Sequence, residues 1–502
     1  MKYRQLTVKI TMLIAGWSTV SIAQEGGQIR EPMTIEQALN IAEQDNPALK
    51  QLKLTLESYQ LQLVARRASL KSQFSLDLSP VSYNRGRRFD TRVSQWYTNE
   101  TFNTSGTFRV DQPILLTDGT ISLINTFGWQ SNESSANELS TNDERFSNNL
   151  YLRLQQPLFT YNTRKMALQR LEAQYENAGI DYAIRRLQTE SSITEQFYNV
   201  YLDQSQLDIS KEELKNSEQS YEIIKNKVES ELLAKEKLFE AELNLANAQL
   251  KVENSAVTLE NDKDILKQTL GIPLSDEISV IAEIVVDPVA VDLVRAIRHG
   301  LESRMELRRR ELAIDEAELK MIEIKDENKF KGDVSLSVGI VGDNSKISKI
   351  YSTPEQNPSI VVNFTVPVFD WGARRARIRA QKAEQTIAKL EYNDQKTDIE
   401  LNVRTTWRTL ENTRSQIDIQ EKTVRNAQLT YDLNLTRYRE GEITGMQISQ
   451  YQTQLTDAKL TYSRTLINYK KQLLNLKILS LYDFEKDEPV VPVKEITLEN
   501  NN

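Results

Sequence analysis

An internal repeat is the feature that most constrains the fold of this chain. Gln-Pro-Leu-Phe at 156–159 recurs as Val-Pro-Val-Phe at 366–369, an offset of 210 residues, and the copies stay aligned for about a hundred residues. Segment 38–49 also recurs, at 296–307, but at an offset of 258. The first copy therefore holds 48 more residues than the second, between its two matched blocks.

Apolar residues at every seventh position mark four long helices, two in each copy. The first copy has Val200, Leu207, Leu214, Tyr221 and Val228, then Leu238, Leu245, Val252, Leu259 and Leu266. The second copy has Leu410, Ile417, Val424, Tyr431 and Tyr438, then Ile448, Leu455, Tyr462, Tyr469 and Leu476. Such a repeat predicts coiled-coil packing of helical hairpins over about 163–270 and 373–482. The first helix of each would span roughly 100 Å at about 1.5 Å per residue.

Segments that alternate apolar and polar residues precede both helical hairpins. In the first copy the apolar positions are Phe74, Leu76 and Leu78, then Leu152 and Leu154. In the second copy, over about 333–368, they are Val334, Leu336, Val338 and Ile340, then Ile360, Val362, Phe364, Val366 and Val368. One apolar and one polar face are typical of a barrel wall between lipid and water. Two strands per copy are too few to enclose a channel, so we expect a homotrimer that shares one barrel of twelve strands.

The 48 additional residues fall within about 85–147 and contain a hairpin pattern. Thr107–Leu115 and Thr120–Trp129 flank the turn signal Thr117-Asp118-Gly119. We place this hairpin at the outer, cell-surface end, as an extracellular extension. The alternative is that both segments are additional strands of the barrel.

The first 23 residues read as a secretory signal peptide. Basic residues precede an apolar run, and Ser21 and Ala23 lie before a predicted cleavage site at Gln24. A short membrane anchor is the alternative, but no stop-transfer pattern follows. The predicted divisions are a signal peptide at 1–23, a first repeat at 24–290, a second repeat at 291–482 and a polar C-terminal tail at 483–502.

Composition excludes several classes of function. The chain has no cysteine, so neither disulfides nor a lipid on an N-terminal cysteine are expected. Its net charge of -8 disfavours a nucleic-acid partner, because phosphate binding requires clustered cations. His299 is the single histidine, and with no cysteine the usual zinc ligand sets are not available. A catalytic triad that requires histidine would have only His299 as its candidate base. We predict that the protein is not an enzyme and has no cofactor.

The repeat resembles the TolC family of outer-membrane efflux proteins over nearly all of the predicted mature chain. Met33 to Leu39, followed by Asn46-Pro47-Ala48-Leu49, is similar to the opening helix of that family. The family motif that joins strand to helix is matched by Pro157, Phe159 and Arg164, and again by Pro367, Phe369, Gly372 and Arg374. A sharp turn there needs a positive φ, which Gly372 allows and which Asn162 tolerates better than most residues. Tyr161 and Trp371 suit a membrane–water boundary.

The resemblance implies a mainly helical fold with a small β part. Four long helices per chain would line a periplasmic tunnel below a β-barrel in the outer membrane of a Gram-negative bacterium. It also implies a passive trimeric duct for tripartite efflux or type I secretion, with a periplasmic adaptor, an inner-membrane pump and outer-membrane lipid as partners. The alternatives are a periplasmic adaptor, which has one hairpin with flanking β-domains, and a coiled-coil structural protein.

The tips of the helical hairpins are the positions that the resemblance assigns to the entrance. Adaptor-contact candidates are Glu231, Leu232 and Leu233 at the first tip and Gly441, Glu442, Ile443 and Thr444 at the second. Gly441 suits a chain reversal and Thr444 a helix cap, whereas the first tip lacks glycine. Entrance candidates are Tyr438, either a latch or a heptad core residue, and Gln447 and Gln450, which stand where family members often have acidic residues. An amide ring predicts a weak cation preference, unless Glu440 or Glu442 turns inward.

Overall fold

The computed structural model of the chain describes residues 32–91, 94–136, 139–282, 289–440 and 442–490. The predicted signal peptide, Gly441 and the end of the predicted tail lie outside the described residues.

The helices are α1 (Ile35–Asp45), α2 (Pro47–Ser69), α3 (Thr163–Glu229), α4 (Lys235–Leu270), α5 (Leu293–Ser303), α6 (Met305–Asp326), α7 (Ala373–Glu440) and α8 (Gly445–Ser480). The long strands are β1 (Gln73–Asp90), β2 (Gln95–Ile114), β3 (Gly119–Ala136), β4 (Leu139–Leu158), β5 (Lys331–Asn344) and β7 (Ser359–Thr365), and the two-residue strands are β6 (Glu355–Gln356), β8 (Tyr482–Asp483) and β9 (Glu488–Pro489).

The long helices lie where the heptads occur. α3 and α7 have 67 and 68 residues, and neither contains a proline that would interrupt its hydrogen bonds. Heptad residues of α7 and α8 are buried, among them Leu410, Tyr431, Ile448 and Leu476. Helices in proteins are stabilised mainly by tertiary packing, so the burial of one apolar stripe is what stabilises these long helices. None of the helices in the described part of the chain is long and apolar enough to cross a membrane.

The described chain divides into two compact units. Residues 32–42 and 196–282 form one unit, in which Met33 pairs with Val280 and Ser210 lies 3.2 Å from Ser255 between their hydroxyl oxygens. Residues 43–195 and 289–490 form the other unit, which contains the sheet, α7 and α8. Its helical core is a cluster of fully or nearly buried side chains: Val291, Ala296, Val403, Leu410, Tyr469, Leu473 and Leu476.

The sheet is antiparallel, with the strand order β1-β2-β3-β4-β5 and with β6 and β7 both pairing with β5. β2 and β3 are the strands of the 48 additional residues, and they lie between β1 and β4. The second copy contributes β5 and β7. The first copy thus has four long strands where the second has two.

The prediction that places the β2–β3 hairpin at the cell-surface end is wrong for its turn. The turn at 115–118 lies at the end of the sheet where β4 leads into α3, because Asp118 bonds to Thr163 and Arg164 at the start of that helix. From this end of the sheet, β2 pairs with β3 and β3 pairs with β4 in continuous register. β2 and β3 are additional strands of the sheet, and the alternative prediction, that they are additional strands of the barrel, stays a prediction. Backbone pairing and the cap on α3 together account for the position of the hairpin.

Candidate entrance tips and strand–helix junctions

The second tip, between α7 and α8, is a short capped reversal. The Glu442 amide donates to the Arg437 carbonyl at 2.9 Å, and the Arg437 guanidinium binds the Glu442 carboxylate at 3.0 Å. Thr444 is the N-cap of α8, as its sequence position predicts. The predicted tip residue Gly441 lies outside the described residues. Glu442 is one of the two acidic residues, with Glu440, that the sequence suggests for cation selection. Its carboxylate forms an ion pair with Arg437.

Thr444 and Gln447 form a complete capping box. The Gln447 amide donates to the Thr444 hydroxyl at 3.3 Å, and the Thr444 amide donates to the Gln447 side-chain oxygen at 2.9 Å. This reciprocal pair satisfies amides that the first turn of a helix leaves without partners. The oxygen of Gln447 is therefore engaged in holding the helix start. Gln450, one turn further along α8, is exposed.

Tyr438 lies inside its own helical hairpin. It is 6% exposed, and a Cβ built on Gly445 would stand 3.9 Å from its hydroxyl oxygen. Tyr431, one heptad earlier, is buried on the same stripe. This position fits the heptad-core interpretation of Tyr438, and the latch role stays a prediction.

The first tip, between α3 and α4, reverses without glycine. Glu231 adopts a φ of 57°, in the left-handed region that glycine normally occupies. The Leu232 amide donates to the Lys227 carbonyl at 2.8 Å and the Glu231 amide to the Val228 carbonyl at 3.0 Å, which is the Schellman pattern. Leu232 is 73% exposed and Leu233 36% exposed. The reversal leaves two apolar side chains accessible at the tip.

Arg164 joins the first strand–helix junction to the β2–β3 turn. Its guanidinium donates to the carbonyl of Gly119 at 2.9 Å, to the hydroxyl of Thr120 at 2.8 Å and to the backbone and carboxylate of Asp118. The Asp118 carboxylate in turn accepts from the amides of Thr163 at 3.0 Å and Arg164 at 3.3 Å. Asp118 is thus an N-cap for α3 that comes from a distant segment of the chain.

The prediction that Asn162 provides a positive φ at this junction is wrong. The left-handed residue is Phe159, with a φ of 61°, directly after the end of β4. The centroid of its ring lies 5.2 Å from that of Phe330, and Pro157, two residues earlier, pairs with Asp333. Asn162 instead caps α3, because its side-chain oxygen accepts from the Lys165 amide at 2.8 Å. The chain has already turned by the time it reaches Asn162.

The second junction contains its own capping carboxylate. Gly372 has the predicted positive φ, 81°, and Trp371 before it also lies in the left-handed region at 55°. Asp370 accepts from the amides of Arg374 and Gly372, each at 2.9 Å, and these donors hold the pKa of the Asp370 carboxyl below its usual range. The Arg374 side chain donates to the Lys325 carbonyl at 2.9 Å. The remaining predicted junction residues, Pro367 and Phe369, are exposed.

Asp118 and Asp370 are the residues that sequence reasoning missed at the junctions. At the repeat offset of 210, Asp370 corresponds to Thr160, so the first junction has no acidic residue in that place. Asp118 supplies the missing carboxylate from the turn of the additional hairpin. The sequence signal was present in two parts: an acidic residue in a turn motif, and an acid in one copy of the repeat that the other copy lacks.

Three comparisons relate this geometry to known proteins. Residues 297–480 match the family described as outer membrane efflux protein. No curated protein sequence matches the chain. Among solved structures, the Campylobacter jejuni CmeC outer membrane channel aligns with a TM-score of 0.67 at 13% identity, covering 96% of this chain and 95% of that one.

Two further outer-membrane proteins give the same result. The open state of the Neisseria gonorrhoeae MtrE outer membrane channel aligns with a TM-score of 0.63 at 14% identity, covering 89% of this chain and 88% of that one. The Vibrio cholerae outer membrane protein VceC aligns with a TM-score of 0.64 at 12% identity, covering 91% of this chain and 97% of that one. At such identities the likeness shows a shared fold, and it confirms the predicted TolC-like fold class. Both the family and these neighbours consist of outer-membrane proteins rather than enzymes. Residues 297–480 thus match the outer membrane efflux protein family, and almost the whole chain shares the fold of TolC-like outer-membrane channels.

Proposed function

We propose that the protein is the outer-membrane channel of a tripartite efflux or type I secretion system. It acts as a passive homotrimeric duct, which carries solutes from an inner-membrane pump through the periplasm to the exterior. The observation that carries this proposal is the joining of two long helical hairpins to one sheet through capped junctions. A periplasmic adaptor needs only one such hairpin, and a coiled-coil structural protein needs no sheet with two distinct faces.

The sheet has the surface expected of a shared barrel. Alternate residues on β1, β5 and β7 form an exposed apolar face, as Phe74, Val338 and Ile360 illustrate, while the residues between them are mainly polar. Among the described residues, β1 pairs only with β2 and β7 only with β5, so both edges keep unpaired backbone groups. Edge strands in lipid require partners, and pairing with two further copies would close the wall.

The hairpin tips supply the proposed contact with an adaptor and pump. Leu232 and Leu233 at the first tip and Ile443 at the second present apolar side chains beside Glu231 and Glu442. Small exposed apolar patches rimmed by charge are typical of protein-binding sites. Gln450, with the nitrogen of Gln447, supplies neutral amides to the proposed entrance, and Tyr438 packs beneath it.

The test is the state of the protein in the cell envelope. We expect it in the outer-membrane fraction as a detergent-stable trimer that migrates as a monomer only after heating. Closed barrels resist detergent because every backbone group in the wall is paired. A soluble periplasmic monomer would contradict the proposal.

A further inference from the structure

The β2–β3 hairpin is a full part of the sheet. β2 pairs with β1 from Gln73↔Asp111 to Asp90↔Gln95, with one register shift between Ser79 and Ser82. β3 pairs without interruption with β2 and with β4. Within the part of the chain that the structure describes, β1 is connected to β4 and β5 only through β2 and β3.

The two additional strands begin at the level where the sheet meets the helices. Their last pair before the turn is Ile114↔Gly119, and Asp118 in the turn caps α3, which follows β4 directly. β2 has 20 residues and β3 has 18. A strand needs about 9–11 residues to cross a membrane, so both are long enough to cross from this level.

The additional strands also share the apolar face of the sheet. One row runs across four strands through the pairs Val110↔Leu123, Leu123↔Leu152 and Leu152↔Val338. In β3, Ile121 and Leu123 on this face are exposed, whereas Ser122 and Ile124 on the other face are buried. The opposite face carries polar links such as that between the hydroxyls of Thr107 and Thr126, at 3.1 Å. An apolar row of the kind expected to face lipid thus continues across β2 and β3.

We propose that each subunit contributes six strands to the shared barrel, so that the trimer has a wall of eighteen strands instead of the twelve that two strands per repeat would give. Barrel diameter grows roughly linearly with strand number, so the lumen would be about one and a half times as wide and about twice as large in cross-section. The outer-membrane segment then admits bulkier solutes than a twelve-stranded wall would. This inference rests on the proposed function, because it requires the trimer.

The first test asks whether β3 faces lipid. The chain has no cysteine, so Leu123→Cys and Val338→Cys each give one labelling site. An environment-sensitive fluorophore on either should be quenched by nitroxide lipids in reconstituted vesicles, because the two residues lie on the same face of the sheet. Quenching of the Val338 probe alone, with the Leu123 probe quenched by aqueous iodide, would overturn the inference and leave the proposed function intact.

The second test counts strands directly. Electron microscopy of the wild-type trimer in nanodiscs should show eighteen strands, and a twelve-stranded wall with the hairpin outside it would overturn the inference. A protein that forms no trimer would instead contradict the proposed function. The matched variant deletes residues 95–136, which removes β2 and β3, and adds Thr160→Asp to restore a carboxylate at the position equivalent to Asp370. Its wall should have twelve strands, and an unchanged wall would also contradict the inference.

Discussion

Glu231 holds a backbone conformation that costs a side chain about 1–2 kcal/mol. We predict that Glu231→Gly stabilises the first tip by about 1 kcal/mol, because glycine adopts a positive φ without that cost. Hydrogen exchange of the Leu232 amide should slow roughly five-fold. Glu229→Gly is the control: it places glycine in the last residue of α3, where the φ is helical, and should speed the exchange. Unchanged or faster exchange in Glu231→Gly would contradict the prediction.

Asp118 connects the additional hairpin to α3. We predict that Asp118→Ala destabilises the start of α3 by about 2 kcal/mol, since it removes a helix cap and leaves the partly buried Arg164 guanidinium without its carboxylate. Exchange of the Thr163 and Arg164 amides should accelerate by a factor on the order of thirty. Asp143→Ala, which removes an exposed carboxylate from β4, should leave those amides unchanged. Equal effects of the two substitutions would count against the cap.

At the scale of the element, the capping box determines where α8 begins. We predict that Thr444→Ala weakens the first turn of α8 by about 1 kcal/mol, because the Gln447 amide loses its side-chain acceptor. The same loss should not follow Thr453→Ala in the same helix, since that hydroxyl only bonds back to the Ser449 carbonyl. The measurement is the hydrogen-exchange rate of the Gln447 amide, which should be faster in Thr444→Ala than in Thr453→Ala. Similar rates would mean that the box contributes nothing to α8.

The predictability of the helices and of their ends differs for a physical reason. Heptad periodicity placed α3 and α7 because apolar residues recur at every seventh position over the second half of each helix. The cap at Thr444 was predictable because its partner, Gln447, is only three residues away. The cap at Asp118 was not, because it lies 45 residues before Thr163 and the two meet only once the sheet has formed.

At the scale of the whole molecule, the entrance is expected to be weakly selective. In planar bilayers the open channel should show only a small preference for cations, because Gln447 and Gln450 are neutral and Glu442 pairs with Arg437. Gln447→Glu and Gln450→Glu together should raise the cation-to-anion permeability ratio several-fold. The box tolerates glutamate at position 447, so α8 should still form. Strong cation selectivity in the wild-type protein that is lost at low pH would contradict this prediction.

The sequence alone determined the repeat, the four long helices and the alternating strands, because each depends on a period that is local in the chain. It also determined that the first copy has 48 more residues, but not where they go. Only the tertiary structure decided that they form two strands between β1 and β4, with their turn against α3. Register and strand order depend on hydrogen bonds between distant segments, as Asp118 and Arg164 show, and no local pattern encodes which strand a hairpin will have as its neighbour.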